Sequence, residues 1–378
     1  MASSKVDFIL TGGGTAGHIN PALAVGKAIL AEQPDAKILY CGNKENPEAD
    51  LAVRAGFAFH HIDAEPFEFS SPSFLWRAVR AFFKGRKEAL AFLKEVQPKA
   101  ILGTGGYVQA PLLAAAKKLD IPYVLHEQNA IPGKSVRVMS GKAQAVCVSF
   151  ENTMNDFPRA KKTVYTGNPV DPIFFEDRKE SLRLAQGMNP KESYVLVTGG
   201  SQGALSINTA ILNLVSSLAT RPALKPYKIH LVTGTRYYDE FKEKFKPYMK
   251  RVPIKLSSYV YDMADQMAMA DVVIARAGAG TCSELAALHK PSILVPYPYA
   301  KGDHQRFNAE TLVDRGAAML IPDQDLDAGS LRHTLEDIFN DETKLYQMGQ
   351  NAGSLAQKEA AAKIAREVFL CTKRKDDK

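Results

Sequence analysis

Four glycine-rich segments carry the residues whose types and spacing can do chemistry: Thr11-Gly12-Gly13-Gly14-Thr15-Ala16-Gly17-His18, Gly103-Thr104-Gly105-Gly106-Tyr107, Thr198-Gly199-Gly200-Ser201-Gln202-Gly203-Ala204 and Arg276-Ala277-Gly278-Ala279-Gly280-Thr281. Each follows a short β-branched run and opens a helical pattern. A loop so placed offers backbone N–H groups and the positive end of a helix dipole at the carboxyl edge of a sheet, where phosphates are held. Four of them together point to a diphosphate-bearing substrate. Gly12, Gly14 and Gly17 read as G-x-G-x-x-G, which in a dinucleotide-binding fold calls for an acid about 20 residues on, at the end of the second strand. That strand ends Leu39-Tyr40-Cys41-Gly42 with no acid, and His18 stands where a cofactor pyrophosphate would lie. None of these four glycine loops ends in Gly-Lys-Ser/Thr, so a P-loop NTPase is excluded as well.

The elements that must position these loops repeat one rhythm: a β-branched run, a glycine turn, then ten or more residues of helical pattern. That alternation specifies βαβ units and parallel sheets. Thirteen strands are expected, at 6–10, 37–41, 57–62, 100–103, 122–126, 143–148 and 163–165, then 194–198, 228–233, 253–256, 271–275, 292–296 and 317–321. Asn20-Pro21, Asn46-Pro47 and Ser71-Pro72 read as helix starts, where the missing proline N–H costs nothing. The rhythm breaks at Gly167-Asn168-Pro169-Val170-Asp171-Pro172 and resumes after a charged helix at 177–186. The expectation is an α/β chain of two Rossmann-like parallel-sheet domains, 1–168 and 169–342. A segment 343–378 then packs its helix back on the first domain and ends in a basic tail.

The 378 residues, 46 % apolar and 24 % charged, suit packed globular domains. The 48 Lys and Arg against 41 Asp and Glu leave +7, which alone favours no partner. Cys41, Cys147, Cys282 and Cys371 form no C-x-x-C pair and read as buried thiols of a reducing compartment. The apolar stretch near the N-terminus is too short for a signal peptide, and no run is long enough to span a bilayer. One segment concentrates the charge: Ser70 to Lys99 holds seven basic and two acidic residues, a net of +5. Within it Leu75, Trp76, Val79, Phe82 and Phe83 take one side of a helix, while Arg77, Arg80, Lys84 and Lys87 step along another, the pattern of an interfacial helix.

Taken in order, Gly12 to Pro21, Gly105-Gly106-Tyr107, His126-Glu127-Gln128-Asn129, Gly167-Asn168-Pro169-Val170, Gly199 to Ala204, Arg276 to Glu284 and Asp303-His304-Gln305 through Asn308-Ala309 resemble the MurG family of peptidoglycan glycosyltransferases. The resemblance runs through about 300 residues and is most specific in HEQN and GGSQGA. It implies a GT-B fold, two Rossmann-like domains facing a central cleft, with the acceptor on the N-terminal half and the UDP-sugar on the C-terminal half. The implied activity is inverting transfer of N-acetylglucosamine from UDP-N-acetylglucosamine (UDP-GlcNAc) to the 4-OH of the muramoyl sugar of lipid I, giving lipid II. No cofactor and no metal are implied, and the protein is expected at the cytoplasmic face of the membrane, docked peripherally on anionic lipid.

Such a transfer needs a base for the incoming hydroxyl and a carrier for charge on the leaving diphosphate. Ser201, Gln202 and Gly203 with Ala279, Gly280 and Thr281 at the next helix start are the expected diphosphate cradle. Glu284 is expected on the ribose hydroxyls, Val260 on the uracil, and Gln305 with Asn308 on the sugar. His304 takes the place of a glutamine found in some relatives. Asp171 stands where many relatives have arginine, which makes Arg276 the candidate for phosphate contact in its stead. Gly13, Gly14, Thr15, Gly17, Gly105, Gly106, Tyr107 and Asn129 are expected on the acceptor side. His18 and Glu127 are rival bases there, imidazole being suited to proton transfer near neutral pH. Asp323-Gln324-Asp325 and Asp325-Leu326-Asp327 match a metal-holding D-x-D formally and read as loop and cap acids. A different UDP-sugar glycolipid transferase and a UDP-sugar epimerase are the alternatives. Nucleic acid would use the same positive charges but leaves the donor loops without a purpose.

Overall fold

The computed structural model describes residues 6–66, 72–189, 192–200 and 202–376. It contains two compact units, residues 1–171 with 357–378, and residues 172–356. The first unit holds strands β1 (Phe8–Thr11), β2 (Ile38–Gly42), β3 (Ala58–His61), β4 (Ala100–Gly103), β5 (Tyr123–Glu127), β6 (Ala145–Val148) and β7 (Thr163–Tyr165). They form one wholly parallel sheet in the order β3-β2-β1-β4-β5-β6-β7. The second holds β8 (Ser193–Thr198), β9 (Tyr227–Val232), β10 (Ile254–Ser257), β11 (Val272–Ala275), β12 (Ser292–Leu294) and β13 (Ala318–Leu320), again all parallel, in the order β10-β9-β8-β11-β12-β13. Every strand expected from the alternation is present.

Both sheets are buried on two faces, as continuous β-branched runs require. In the first unit Ile9, Ile101, Leu125 and Val146 point to one apolar layer, Phe8, Leu10, Leu102 and Val124 to the other, by the two-residue pleat. The helix Ala360–Asp376 returns to this second layer through Ile364, Ala365, Val368 and Phe369, the last with its ring edge-on to Phe8 at 5.7 Å. The helix Glu342–Ser354, read in the sequence as part of the returning segment, packs instead in the second unit against the helices Ala279–Ala287 and Ala328–Phe339. Met348, Gly349 and Ala352 are its buried positions, and the chain crosses back only after Ala356.

In each sheet the strand order reverses once, between β1 and β4 and between β8 and β11. Open α/β sheets bind ligands at the carboxyl edge of that switch point. All four glycine loops leave from these strands: the Gly12 loop from β1, the Gly105 loop from β4, the Gly200 loop from β8 and the Gly278 loop from β11.

One helix start differs from expectation. The helix Ala16–Glu32 begins with Thr15 as its N-cap, so Pro21 lies inside it and not at its first turn. Proline donates no bond to the carbonyl four residues back, and that carbonyl, Gly17, accepts instead from Gln128 Nε2 at 3.1 Å. A buried amide side chain thus completes the backbone bonding that the proline interrupts.

Candidate functional site

In the first unit the loops after β1, β4 and β5 are bolted to one another. Gly13 N donates to Gly105 O at 3.3 Å, and a Cβ on Gly106 (φ +77°) would lie 2.0 Å from Gly13 O, so only glycine fits. Thr104 Oγ1 donates to His18 O at 2.6 Å. Gln128 bridges Gly17 O and Thr104 O, and Gln109 Oε1 accepts from Gly105 N at 3.0 Å. The half-exposed His18 ring lies against Gly105 with its Nδ1 3.1 Å from Thr15 Oγ1. Tyr107 covers Gly14, and its hydroxyl accepts from Asn46 Nδ2 at 2.9 Å.

The two rival bases have different surroundings. Glu127 is buried, its Oε1 accepting from Asn129 N (3.0 Å) and Asn129 Nδ2 (3.2 Å) and its Oε2 from Gly133 N (2.8 Å). Burial pushes its carboxyl above the usual range against the pull of these bonds. Both oxygens are therefore engaged in shaping the 127–133 turn, on which Asn129 is half-exposed.

Asp171 is ion-paired with Lys27. Sequence reasoning quoted Thr104 and Gln128 within their motifs without a bracing role, and passed over Gln109 and the fully buried Glu48, which accepts from Gly14 N at 2.9 Å.

In the second unit, Ser201 falls outside the described residues. Gln202 is exposed, and Gly203 (φ +75°) approaches Thr233 O so closely that a Cβ would stand 2.1 Å from it. The turn precedes the helix Leu205–Thr220, which is capped at Ala204. Ala279, Gly280 and Thr281 are the first turn of the helix Ala279–Ala287, and a Cβ on Gly280 would meet nothing within 4 Å. Glu284 follows one turn later, half-buried. Val260 is half-buried in the loop after β10, between Tyr259 and Tyr261, whose rings meet edge-on at 4.7 Å. Gln305 Oε1 accepts from Tyr297 N at 2.9 Å, and His304, whose ring is driven below its usual range by burial, opens the helix His304–Val313.

Two expected ligand contacts have other partners. Asn308 is fully buried and donates its amide to Ala277 O at 3.1 Å, so it braces the Gly278 loop from behind. Arg276 is bound to Asp323 Oδ1 at 2.5 Å, to Ser206 Oγ at 2.9 Å and to the carbonyls of Val295 and Pro296 at 3.1 Å. Asp323, the first acid of the D-x-D, is thus the partner of a guanidinium, and Asp327 caps the helix Ala328–Phe339 through Ser330 N. Among the described residues no group of three His, Cys, Asp or Glu is placed to hold a metal.

The helix Pro72–Val96 buries small and aliphatic residues, Ala78, Ala89, Leu93 and Val96, together with Gly85, whose Cβ would lie 2.0 Å from Asp63 O. The aromatic side therefore faces outward: Trp76 is 74 % exposed and Phe83 59 %, with Phe74 and Val79 exposed beside them and Leu75 and Phe82 half-buried. The basic stripe is partly compensated, because Arg77 pairs with Glu65 and Lys84 with Asp63, while Arg80 and Lys87 are exposed.

Two wholly parallel sheets with glycine loops at both switch points are the architecture of two-domain nucleotide-sugar enzymes. Residues 8–148 match the glycosyltransferase family 28 N-terminal domain and residues 194–368 its C-terminal domain. The UDP-N-acetylglucosamine--N-acetylmuramyl-(pentapeptide) pyrophosphoryl-undecaprenol N-acetylglucosamine transferase of Caldanaerobacter subterraneus subsp. tengcongensis is 36 % identical over 367 residues, 97 % of this chain and 100 % of that protein. The crystal structure of Acinetobacter baumannii MurG superposes with a TM-score of 0.72 at 26 % identity, covering 97 % and 99 % of the two chains. A UDP-GlcNAc 2-epimerase from Neisseria meningitidis reaches 0.67 at 13 % identity over 97 % of this chain and 100 % of its own, a likeness of fold alone. The chain belongs to the MurG family of family 28 glycosyltransferases.

Proposed function

We infer that this protein transfers N-acetylglucosamine from UDP-GlcNAc to the 4-OH of the N-acetylmuramoyl sugar in undecaprenyl-pyrophosphoryl-MurNAc-pentapeptide, converting lipid I to lipid II. The observation that carries this reading is identity spread over nearly the whole length of the transferase relatives, with both units included. An epimerase shares the fold at far lower identity, and it has no use for an acceptor unit.

The chemistry follows from the two sets of loops. His18 takes the proton of the acceptor 4-OH as that oxygen attacks C1 of the donor sugar; the C1–O bond to UDP breaks and the configuration inverts. Glu127, with both oxygens held by the 129–133 turn, positions that turn and Asn129. Gly13, Gly14, Thr15, Gly17, Gly105, Gly106 and Tyr107 shape the acceptor surface. The charge that develops on the departing diphosphate meets the N–H groups of Ala279, Gly280 and Thr281 and those beside Ser201, Gln202 and Gly203, a preorganised positive field. Glu284 accepts from the ribose hydroxyls, Val260 meets the uracil through its backbone, and His304 with Gln305 faces the sugar. Arg276, bound to Asp323, holds the donor loops in shape.

No helix among the described residues is long and apolar enough to cross a membrane. The exposed Trp76, Phe83, Phe74 and Val79, with Arg80 and Lys87 alongside, give the protein a docking surface for an anionic bilayer at the cytoplasmic face. Purified protein with UDP-GlcNAc and a lipid I analogue should release UDP only when acceptor is present and should do so in EDTA. Equal release without acceptor, or a requirement for Mn²⁺, would overturn the reading. Replacing Trp76 and Phe83 together by Ser should reduce sedimentation with anionic liposomes at least several-fold; unchanged sedimentation would remove the docking role.

A further inference from the structure

Beneath the first glycine loop lies a carboxylate to which the transfer chemistry gives no task. Glu48 begins the helix Glu48–Arg54, a place where an acidic side chain ordinarily points to solvent beside the helix dipole. Here it turns inward and has 0 % exposure. Its Oε1 accepts from Gly14 N at 2.9 Å and faces Asn46 Nδ2 at 3.4 Å, while Oε2 is enclosed without a partner among the described residues. A Cβ on Gly13 would sit 1.8 Å from Oε1, so the absence of a side chain at position 13 is what admits the carboxylate. The same Asn46 amide donates to Tyr107 OH at 2.9 Å, and the Tyr107 ring closes over Gly14, 3.0 Å from where a Cβ would be. Burial lifts the Glu48 carboxyl above its usual range, as expected of an acid held in place for a bond and not for its solvation.

We propose that Glu48 is a positioning residue for the acceptor site, clamping the Gly13–Gly14 turn directly and the Tyr107 ring through Asn46. The Gly14 N–H, which a bare glycine loop would offer to a phosphate, is already taken by Glu48. The turn is thereby fixed as a wall, and the lipid pyrophosphate is left to the N–H groups at the start of the helix Ala16–Glu32. The inference rests on reading the first unit as the acceptor side.

Steady-state kinetics with UDP-GlcNAc and a lipid I analogue tests it. Glu48→Ala should raise the acceptor KM about tenfold or more and leave the donor KM within about twofold, the size of one lost buried bond of this kind. Glu48→Gln, whose amide oxygen can still accept from Gly14, should restore the acceptor KM to within about threefold of wild type. Asn46→Ala and Tyr107→Phe remove the two ends of one hydrogen bond, so the double variant should be no worse than the poorer single one. An acceptor KM unmoved by Glu48→Ala, equal rises in both KM values, failure of Gln to rescue, or additive effects of Asn46→Ala and Tyr107→Phe would each overturn the proposal. Should Glu48→Ala not fold, the Asn46 and Tyr107 cycle decides. A wild-type protein inactive toward the lipid-linked acceptor would instead refute the functional reading, a result distinct from any of these.

Discussion

The glycine loops of the two units look alike in sequence and are used differently. In the first unit most are interior: a Cβ on Gly12 would strike Thr104 Oγ1 at 2.0 Å, one on Gly13 would strike Glu48 and one on Gly106 would strike Gly13 O, while Gly17 is exposed. In the second, Gly199, Gly203 and Gly234 are equally crowded, but at Gly200 and Gly280 a Cβ would meet no protein atom within 4 Å. A glycine required by packing and a glycine required by a ligand are the same letter. Gly200, at φ +85°, has a backbone reason to be glycine, whereas Gly280 has neither a crowded Cβ position nor a positive φ, as the proposed diphosphate contact would leave it.

The sharpest break of this comparison is a pair of alanines. Gly106→Ala puts a side chain at φ +77° and against a backbone oxygen that cannot move aside, so it should cost at least about 3 kcal/mol and unfold the first unit early in a urea titration. Gly280→Ala sits in a helix with room for a methyl and should raise stability by about 0.5–1 kcal/mol. It should nonetheless raise the donor KM strongly, because the methyl occupies the approach to the helix start. Gly280→Ala with an unchanged donor KM would return that glycine to mere packing.

Next in size is the proposed ribose contact. Glu284→Ala should weaken UDP-GlcNAc binding by about 10- to 100-fold, the loss of charge-assisted hydrogen bonds, with acceptor binding nearly intact. Calorimetry with UDP-GlcNAc and, separately, with an acceptor analogue tells the two apart; unaltered donor affinity would end the ribose assignment. Arg276→Ala should act differently. It frees Asp323 and Ser206 and exposes two carbonyls, so loss of thermal stability should accompany any loss of donor affinity.

The sheets were legible in the sequence because both are buried on two faces, which leaves continuous β-branched runs between glycine turns. Pro21 misled because a proline ordinarily marks a first turn; it is tolerated deeper in the helix since Gln128, more than 100 residues away, takes up the orphaned carbonyl. The aromatic residues of the helix Pro72–Val96 were expected on one side, yet periodicity does not say which face turns inward. Gly85 decides that, by fitting against Asp63 O where no larger residue can. Arg276 and Asn308 were visible as polar residues near a loop, while their partners Asp323, Ser206 and Ala277 lie 30 to 70 residues away and only folding brings them together. Glu48 left no trace at all, since an acid at a helix start has an adequate local reason to be there.

The last expected effect separates the units by acid sensitivity. His126, on β5 in the first sheet, is driven down to about 3, chiefly by burial and against the pull of its bond to Gly167 O. His230, in the second sheet between Tyr194 OH and Ser257 Oγ, is driven down to about 4, again chiefly by burial and then by the charge of Lys255. Both rings are neutral in the folded protein, whereas an unfolded histidine takes up a proton near 6.5. Between the folded value and about 6.5 the unfolded chain binds more protons, so stability rises with pH there and is lost as pH falls. Each histidine should contribute a slope approaching about 1.4 kcal/mol per pH unit. The loss runs from about 6.5 down to about 3 in the first unit and stops near 4 in the second. Hydrogen exchange on β5 and β9 amides from pH 7 to 4 follows the two units separately. His126→Asn should flatten the pH slope in β5 alone, and His230→Asn in β9 alone. Slopes in either variant equal to wild type would show that other groups set the acid response of that unit.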